Sequence, residues 1–176
     1  MSIRIMELSD YEEVRRLVYQ IHDMHVTSRP DIYRDGNPLP IAYFEKCISN
    51  VNALNYVYEK NGSIIGVVMA TKERARDIPI NQERCIYFIE DIVVDEAYRR
   101  YGIGKQLYLF LENRAREEDV DGIELNVWAF NEEALKFYES LGMSVKNMKL
   151  EQVLRKETVN RKNLDVLVTA NVGVLD

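Results

Sequence analysis

The sequence predicts an α/β fold: a single domain with a mixed central sheet of about six to seven strands flanked by about four helices. Three observations carry this. Amphipathic helical stretches alternate with apolar strand runs, Asn61-Gly62 splits two β-rich segments, and the apolar run 85–94 leads into a helix start containing Gly102 and Gly104. Ile3 and Ile5 alternate with Arg4 and Met6, a short first strand. Ser9 with Glu12 reads as a capping box that opens a helix, carried to about residue 25 by Val14, Leu17, Val18, Ile21 and Met24. Residues 27–40 hold Pro30, Gly36, Pro38 and Pro40 and read as a long loop. Ile41, Phe44, Cys47 and Ile48 mark a second helix, roughly 40–50.

Val51 to Glu59 and Ser63 to Thr71 flank the Asn61-Gly62 pair, whose positive-φ tolerance suits a type I′ hairpin turn. The polar stretch 72–84 reads as a loop. Residues 85–94 form a central strand, apolar apart from Glu90 and Asp91. A helix follows over about 102–118, a strand over Ile123 to Trp128, and a helix from Asn131 to Leu141 that Gly142 ends. Two short strands fit 143–147 and 148–154, and Leu164, Val166 and Val168 alternate like another. The domain is expected over 1–154, with 155–176 a C-terminal extension. The strand-like stretch 164–174 is expected to pair with a second chain, giving a homodimer.

Composition narrows the function classes. The chain has 176 residues, 47% hydrophobic and 30% charged, with a net charge of −6. That balance suits an ordinary soluble domain and argues against binding nucleic-acid backbone or an acidic membrane. The uncharged stretch Asn61 to Thr71 is well short of the ~20 residues of a membrane span. The start, Ser2-Ile3-Arg4, has no signal-peptide layout, so a cytoplasmic location is expected. Cys47 and Cys85 show no pairing or ligand pattern, and His22 and His25 lack a supporting cluster, so no metal is expected.

The segment Arg99 to Lys105 is the chemical signal. A strand, a short acidic turn and a glycine-containing helix start aim backbone N–H groups and a positive helix end at one point, which suits a phosphate. It is not a P-loop, because Arg99 and Gln106 stand where Gly and Ser or Thr are needed. Nor is it a dinucleotide fingerprint, because Leu107 stands where Gly or Ala is needed.

Arg99-x-x-Gly102-x-Gly104, after the strand Glu90 to Val94, resembles the Q/R-x-x-G-x-G/A turn of the GNAT N-acetyltransferase superfamily. Downstream, Asn131-x-x-Ala134-x-x-Phe137-Tyr138-x-x-x-Gly142 is similar to that family's second signature. The resemblance implies acetyl transfer from acetyl-CoA to a primary amine, of a small molecule or a protein, with no metal. It implies that Arg99, Arg100, Tyr101, Gly102, Ile103, Gly104 and Lys105 hold the pyrophosphate. Ile92, Val93 and Val94 would pair with the pantetheine arm, with Asn131, Ala134, Phe137 and Tyr138 along its path.

An alkylamine has a pKa near ~10.4, so about one molecule in a thousand is neutral at pH 7 and a proton acceptor is needed. Glu90 is the candidate base, because a carboxylate in an apolar central strand should have a raised pKa. Strand alternation places Glu90 and Asp91 on opposite faces. Polyamine-type members of that family carry an acidic pair here, so the resemblance places Asp91 beside the substrate. Tyr138 matches the family's general acid, and the segment after the first helix walls its acceptor pocket, implicating His25, Tyr33 and Tyr43. Trp128 reads as core or pocket wall. The alternative function is a non-catalytic acyl-CoA-binding or sensory module of the same fold.

Overall fold

The structure, a computed structural model, describes residues 2–74, 80 and 82–154. Five strands form one sheet in the order β1-β2-β3-β4-β5: Ser2–Ile5, Tyr56–Lys60, Ser63–Arg74, Cys85–Val94 and Gly122–Leu125. The first four are antiparallel neighbours, and β5 runs parallel to β4 after a helical crossover. The helices are α1 (Tyr11–Ser28), α2 (Ile41–Ser49), α3 (Ile103–Glu117) and α4 (Glu132–Ser140). These fall in the unit ending at Met143; of the second unit residues 144–154 are described, and among these there is no helix or strand. No described helix is long and apolar enough to cross a membrane.

Period-two alternation sorts the sheet's side chains into two cores. Val57, Val67, Met69 and Val93 pack with Val14, Leu17 and Phe44 of α1 and α2. Tyr58, Val68, Ala70 and Ile89 pack on the opposite face with Leu107 and Leu111 of α3. Gly66 makes the second contact close: a Cβ there would lie 3.1 Å from Ile103 Cγ2 and 3.2 Å from Leu107 Cδ1. The absent side chain lets the start of α3 settle onto β3.

Several expectations are corrected. Among the described residues there are five strands rather than six to seven. Residues 143–154 form none, since alternation supplies a face but not a ladder partner. The strand expected over Ile123 to Trp128 stops at Leu125, and the one expected from Val51 starts at Tyr56. The opening of α1 falls to Asp10 rather than to Ser9 with Glu12: its carboxylate accepts the Glu7 N–H at 2.8 Å and both Nη atoms of Arg4 at 2.8 Å. α1 continues to Ser28, past the end expected near residue 25, so His25 lies in its last turn. The hairpin turn is as expected, with φ of 53° at Asn61 and 79° at Gly62. The stretch 164–174, on which the homodimer expectation rests, lies outside the described residues.

One irregularity positions everything that follows. Met69 pairs with Asp91 and Ala70 with Ile89, so Glu90 is an extra residue in β4, a β-bulge. Before it, Tyr87 and Ile89 face α3; after it, Val93 faces α1 and α2. Regular alternation from Ile89 would send Asp91 towards α3. The inserted residue turns it to the α2 side.

Candidate active site

The bulge brings Glu90 and Asp91 together. Both line a cavity of about 260 Å³ between the sheet and α2, with Tyr43, Cys47, Leu39 and Thr71. The expectation of opposite faces fails because it assumes an unbroken ladder. The two carboxylates nonetheless sit differently. Glu90 is exposed, and its Oε1 accepts a hydrogen bond from the Thr71 hydroxyl at 2.6 Å. Asp91 is half-buried and more enclosed than Glu90: desolvation, reinforced by the Glu90 charge, raises its pKa to about 6. The burial expected of Glu90 therefore falls on its neighbour.

On its other side Asp91 is felt by Tyr138 of α4. Burial, then the Asp91 charge, then Tyr108 push the Tyr138 phenol up to about 12. A carboxyl near 6 can accept a proton at neutral pH, and a phenol near 12 stays protonated and can give one. Tyr43 is raised by its contact with Cys47 and by burial, and more weakly by the same two carboxylates.

Beside these groups the sheet opens. The parallel ladder between β4 and β5 ends at Ile89–Leu125, while Ile92, Val93 and Val94 remain paired to β3 alone. Their other edge has no strand beside it among the described residues. At its end comes the turn. Asp95 caps a 3-10 turn, Glu96–Tyr98, and φ is positive at both Arg100 (67°) and Gly102 (78°) before α3 starts. Only glycine adopts that second conformation without strain. Helix geometry leaves the N–H groups of Ile103, Gly104 and Lys105 without intrahelical acceptors. A Cβ on Gly104 would sit 3.5 Å from the Phe137 ring and 3.6 Å from Val94 Cγ2, so turn, open edge and α4 converge on one groove.

The turn's cations divide. Arg99 Nε donates to the Val94 carbonyl at 3.3 Å, Arg100 pairs with Glu133 at 2.8 Å in full exposure, and Lys105 and Tyr101 are exposed. Asn131 caps α4, its Oδ1 accepting the Ala134 N–H at 3.1 Å. Ala134, Phe137 and Tyr138 are half-buried along that helix.

His25 and Tyr33 are brought together, but in a second group. Their rings stack at 5.0 Å, the Trp128 Nε1–H donates to the Tyr33 hydroxyl at 3.0 Å, and Phe130 stacks on Trp128 at 5.8 Å. Arg29 lies 5.2 Å over the Trp128 ring. Burial holds His25 below the usual imidazole value, with His22 adding to this. Sequence reasoning missed Phe130 and Arg29 and took Trp128 for core or pocket wall. The signal was there in Trp128-Ala129-Phe130, two aromatics just beyond β5. A larger cavity of about 350 Å³, lined by Tyr58, Lys60, Tyr98 and Tyr101, has no carboxylate or imidazole in its lining.

Comparison with known proteins fits this arrangement. The Bacillus halodurans protein BH1408, in the crystal structure of a tetramutant, is 33% identical and superposes with a TM-score of 0.85 over 88% of this chain and 100% of that one. A protein described as an uncharacterized N-acetyltransferase in the pepI 3′ region of Lactobacillus delbrueckii subsp. lactis is 28% identical over 121 residues, 63% of this chain and 69% of that protein. The aminoglycoside N-acetyltransferase AAC(6′)-Iy, crystallised with CoA, shares the fold at a TM-score of 0.64 and 18% identity, over 88% of this chain and 99% of that one. Residues 18–143 match the Acetyltransferase (GNAT) family. That span contains the bulged strand, the glycine turn and α4, and the chain belongs to the GNAT family, making it an acyltransferase enzyme.

Proposed function

We propose that the chain transfers an acetyl group from acetyl-CoA to a primary amine by direct attack of the amine on the thioester. The observation that carries this is the bulge at Glu90, which sets a carboxyl with a pKa of about 6 at the mouth of an open strand edge. The donor fits the groove. The three unpaired N–H groups of 103–105 suit a pyrophosphate, and Gly102 and Gly104 leave space where it would approach. Arg99 to Lys105 would hold it, Ile92 to Val94 would pair with the pantetheine arm, and Asn131, Ala134 and Phe137 would flank that arm. AAC(6′)-Iy, a protein of the same fold, binds CoA, which supports the donor.

Asp91 takes the base role in preference to Glu90, because its burial sets its pKa closer to neutrality. It accepts the amine proton as the nitrogen bonds to the acetyl carbon. The carbon–sulfur bond breaks, and Tyr138 supplies the proton that the departing thiolate requires. A backbone N–H near Val93 would steady the carbonyl oxygen meanwhile. Tyr43 belongs to the acceptor cavity with Glu90, while His25 and Tyr33 wall the approach. The acceptor is a small-molecule amine, since the cavity holds about 260 Å³ and its two carboxylates outnumber its one cation, Lys46, so a cationic amine suits its charge.

Acetyl-CoA at a hundredfold excess over its Kd should stabilise the fold by about 2.7 kcal/mol, a rise in melting temperature of about 5–10 °C. Gly104→Glu, whose side chain fills the groove beside Phe137, should abolish that rise. No thermal response in the wild type overturns the donor assignment. A response without transfer to any of a panel of amines favours the non-catalytic binding module.

A further inference from the structure

The acidic turn before the glycine segment has a role of its own. Three polar side chains at helical spacing on α1, Glu13, Arg16 and Gln20, form one stripe facing the start of β3 and the turn after β4. Glu13 accepts the Ile64 N–H at 2.8 Å, and Arg16 Nη2 donates to the Ile64 carbonyl at 3.1 Å. Arg16 Nη1 donates to the Asp95 carboxylate, and Gln20 Oε1 accepts the Glu96 N–H at 3.0 Å. Asp95 is 8% exposed; its other oxygen accepts the Ala97 N–H at 3.0 Å, and its own N–H donates to the Ile65 carbonyl at 3.0 Å. Every polar group of Asp95 that could fix the entry to the turn is thus engaged, and α1 supplies the charge that holds it. The same helix carries His25 at its far end.

We propose that Asp95, clamped by Arg16 and aided by Gln20, is a positioning residue for the donor. It locks residues 95–98 so that the turn after them presents its N–H groups to the pyrophosphate at a fixed angle. Asp95 touches neither substrate; it acts through Glu96 to Tyr98 on Arg99 to Lys105. The inference rests on the reading of that turn as the CoA cradle, and its consequence is confined to donor binding.

The test is Asp95→Asn, which keeps the shape and the Ala97 cap but loses the charge pair. Kd for CoA and KM for acetyl-CoA should rise about tenfold, while kcat at saturating donor and KM for the amine stay within about twofold. Arg16→Gln should act in the same direction, and the double variant should be no worse than either single one, because both break one contact. Asp10→Asn is the control. It breaks the comparably buried pair with Arg4 at the β1 edge, and should lower the melting temperature without moving the CoA Kd. Should Asp95→Asn fail to fold, Gln20→Ala replaces it, with an expected rise in CoA Kd of about threefold.

An Asp95 variant with wild-type CoA affinity overturns the proposal, as does an Asp10 variant that weakens CoA equally. In both cases the cradle assignment survives. Wild-type protein that binds no CoA overturns the cradle assignment and this proposal with it.

Discussion

Strand β4 divides at Glu90 into two halves of similar apolar sequence. From Ile86 to Ile89 it is paired on both sides, with β3 and with β5. From Ile92 to Val94 it is paired with β3 only, and Asp91 faces the α2 cavity. The first half holds the sheet together; the second offers, among the described residues, an edge with no strand beside it, a half-buried carboxyl and a route into the glycine turn. One inserted residue separates them. The lesson is that chemistry here is set by ladder register as much as by residue type, since Asp91 in an unbroken strand would face the α3 core.

The hardest way to break this contrast is Asp91→Asn, which keeps the register and removes the proposed base, so kcat should fall about 10²–10³-fold. Wild-type kcat/KM should climb with pH through about 6 and level off as Asp91 ionises, and the variant should lose that rise.

The same substitution has an opposite effect on stability. The folded carboxyl binds its proton more tightly than the unfolded one, whose pKa is near 3.8, so its burial penalty grows as pH rises from there through about 6. Asp91→Asn should therefore raise the melting temperature at pH 8 and leave it unchanged at pH 3.5. Tyr138→Phe should cost about 10–100-fold in kcat with CoA affinity intact; unchanged turnover would remove Tyr138 from proton delivery. At the small end, Arg84→Gln, just before the doubly paired region, loses the pair with Glu124 at 3.3 Å. Stability should shift by about 0.5 kcal/mol or less in urea unfolding, with kcat unchanged.

Much of the fold was legible because its signals are local. The Asn61-Gly62 turn, the stripe of Val14 and Leu17 on α1, and Asn131 as the cap of α4 each follow from neighbours in sequence. The glycine turn was legible for the same reason. What failed depends on partners far along the chain. The end of β5 at Leu125 follows from where β4 stops matching it, and the bulge follows from pairing with Met69 and Ala70. Alternation read from Glu90-Asp91 alone could not reveal an inserted residue. The aromatic group was similarly hidden, because His25, Tyr33 and Trp128 meet only after the sheet and α1 are in place.

The hairpin at Asn61-Gly62 also bears on how the molecule assembles. A two-residue turn closes at the smallest entropic cost in the sheet, whereas β1 reaches β2 only after α1 and α2 have been threaded between them. Loop lengths therefore rank the pairings: β2 with β3 first, β4 onto β3 next, then the parallel crossover to β5, with β1 closing the edge last. The register that places Asp91 is thus fixed while β5 is still unattached. Substitutions that disturb the β3–β4 pairing should slow folding, and those at β1 should mainly hasten unfolding.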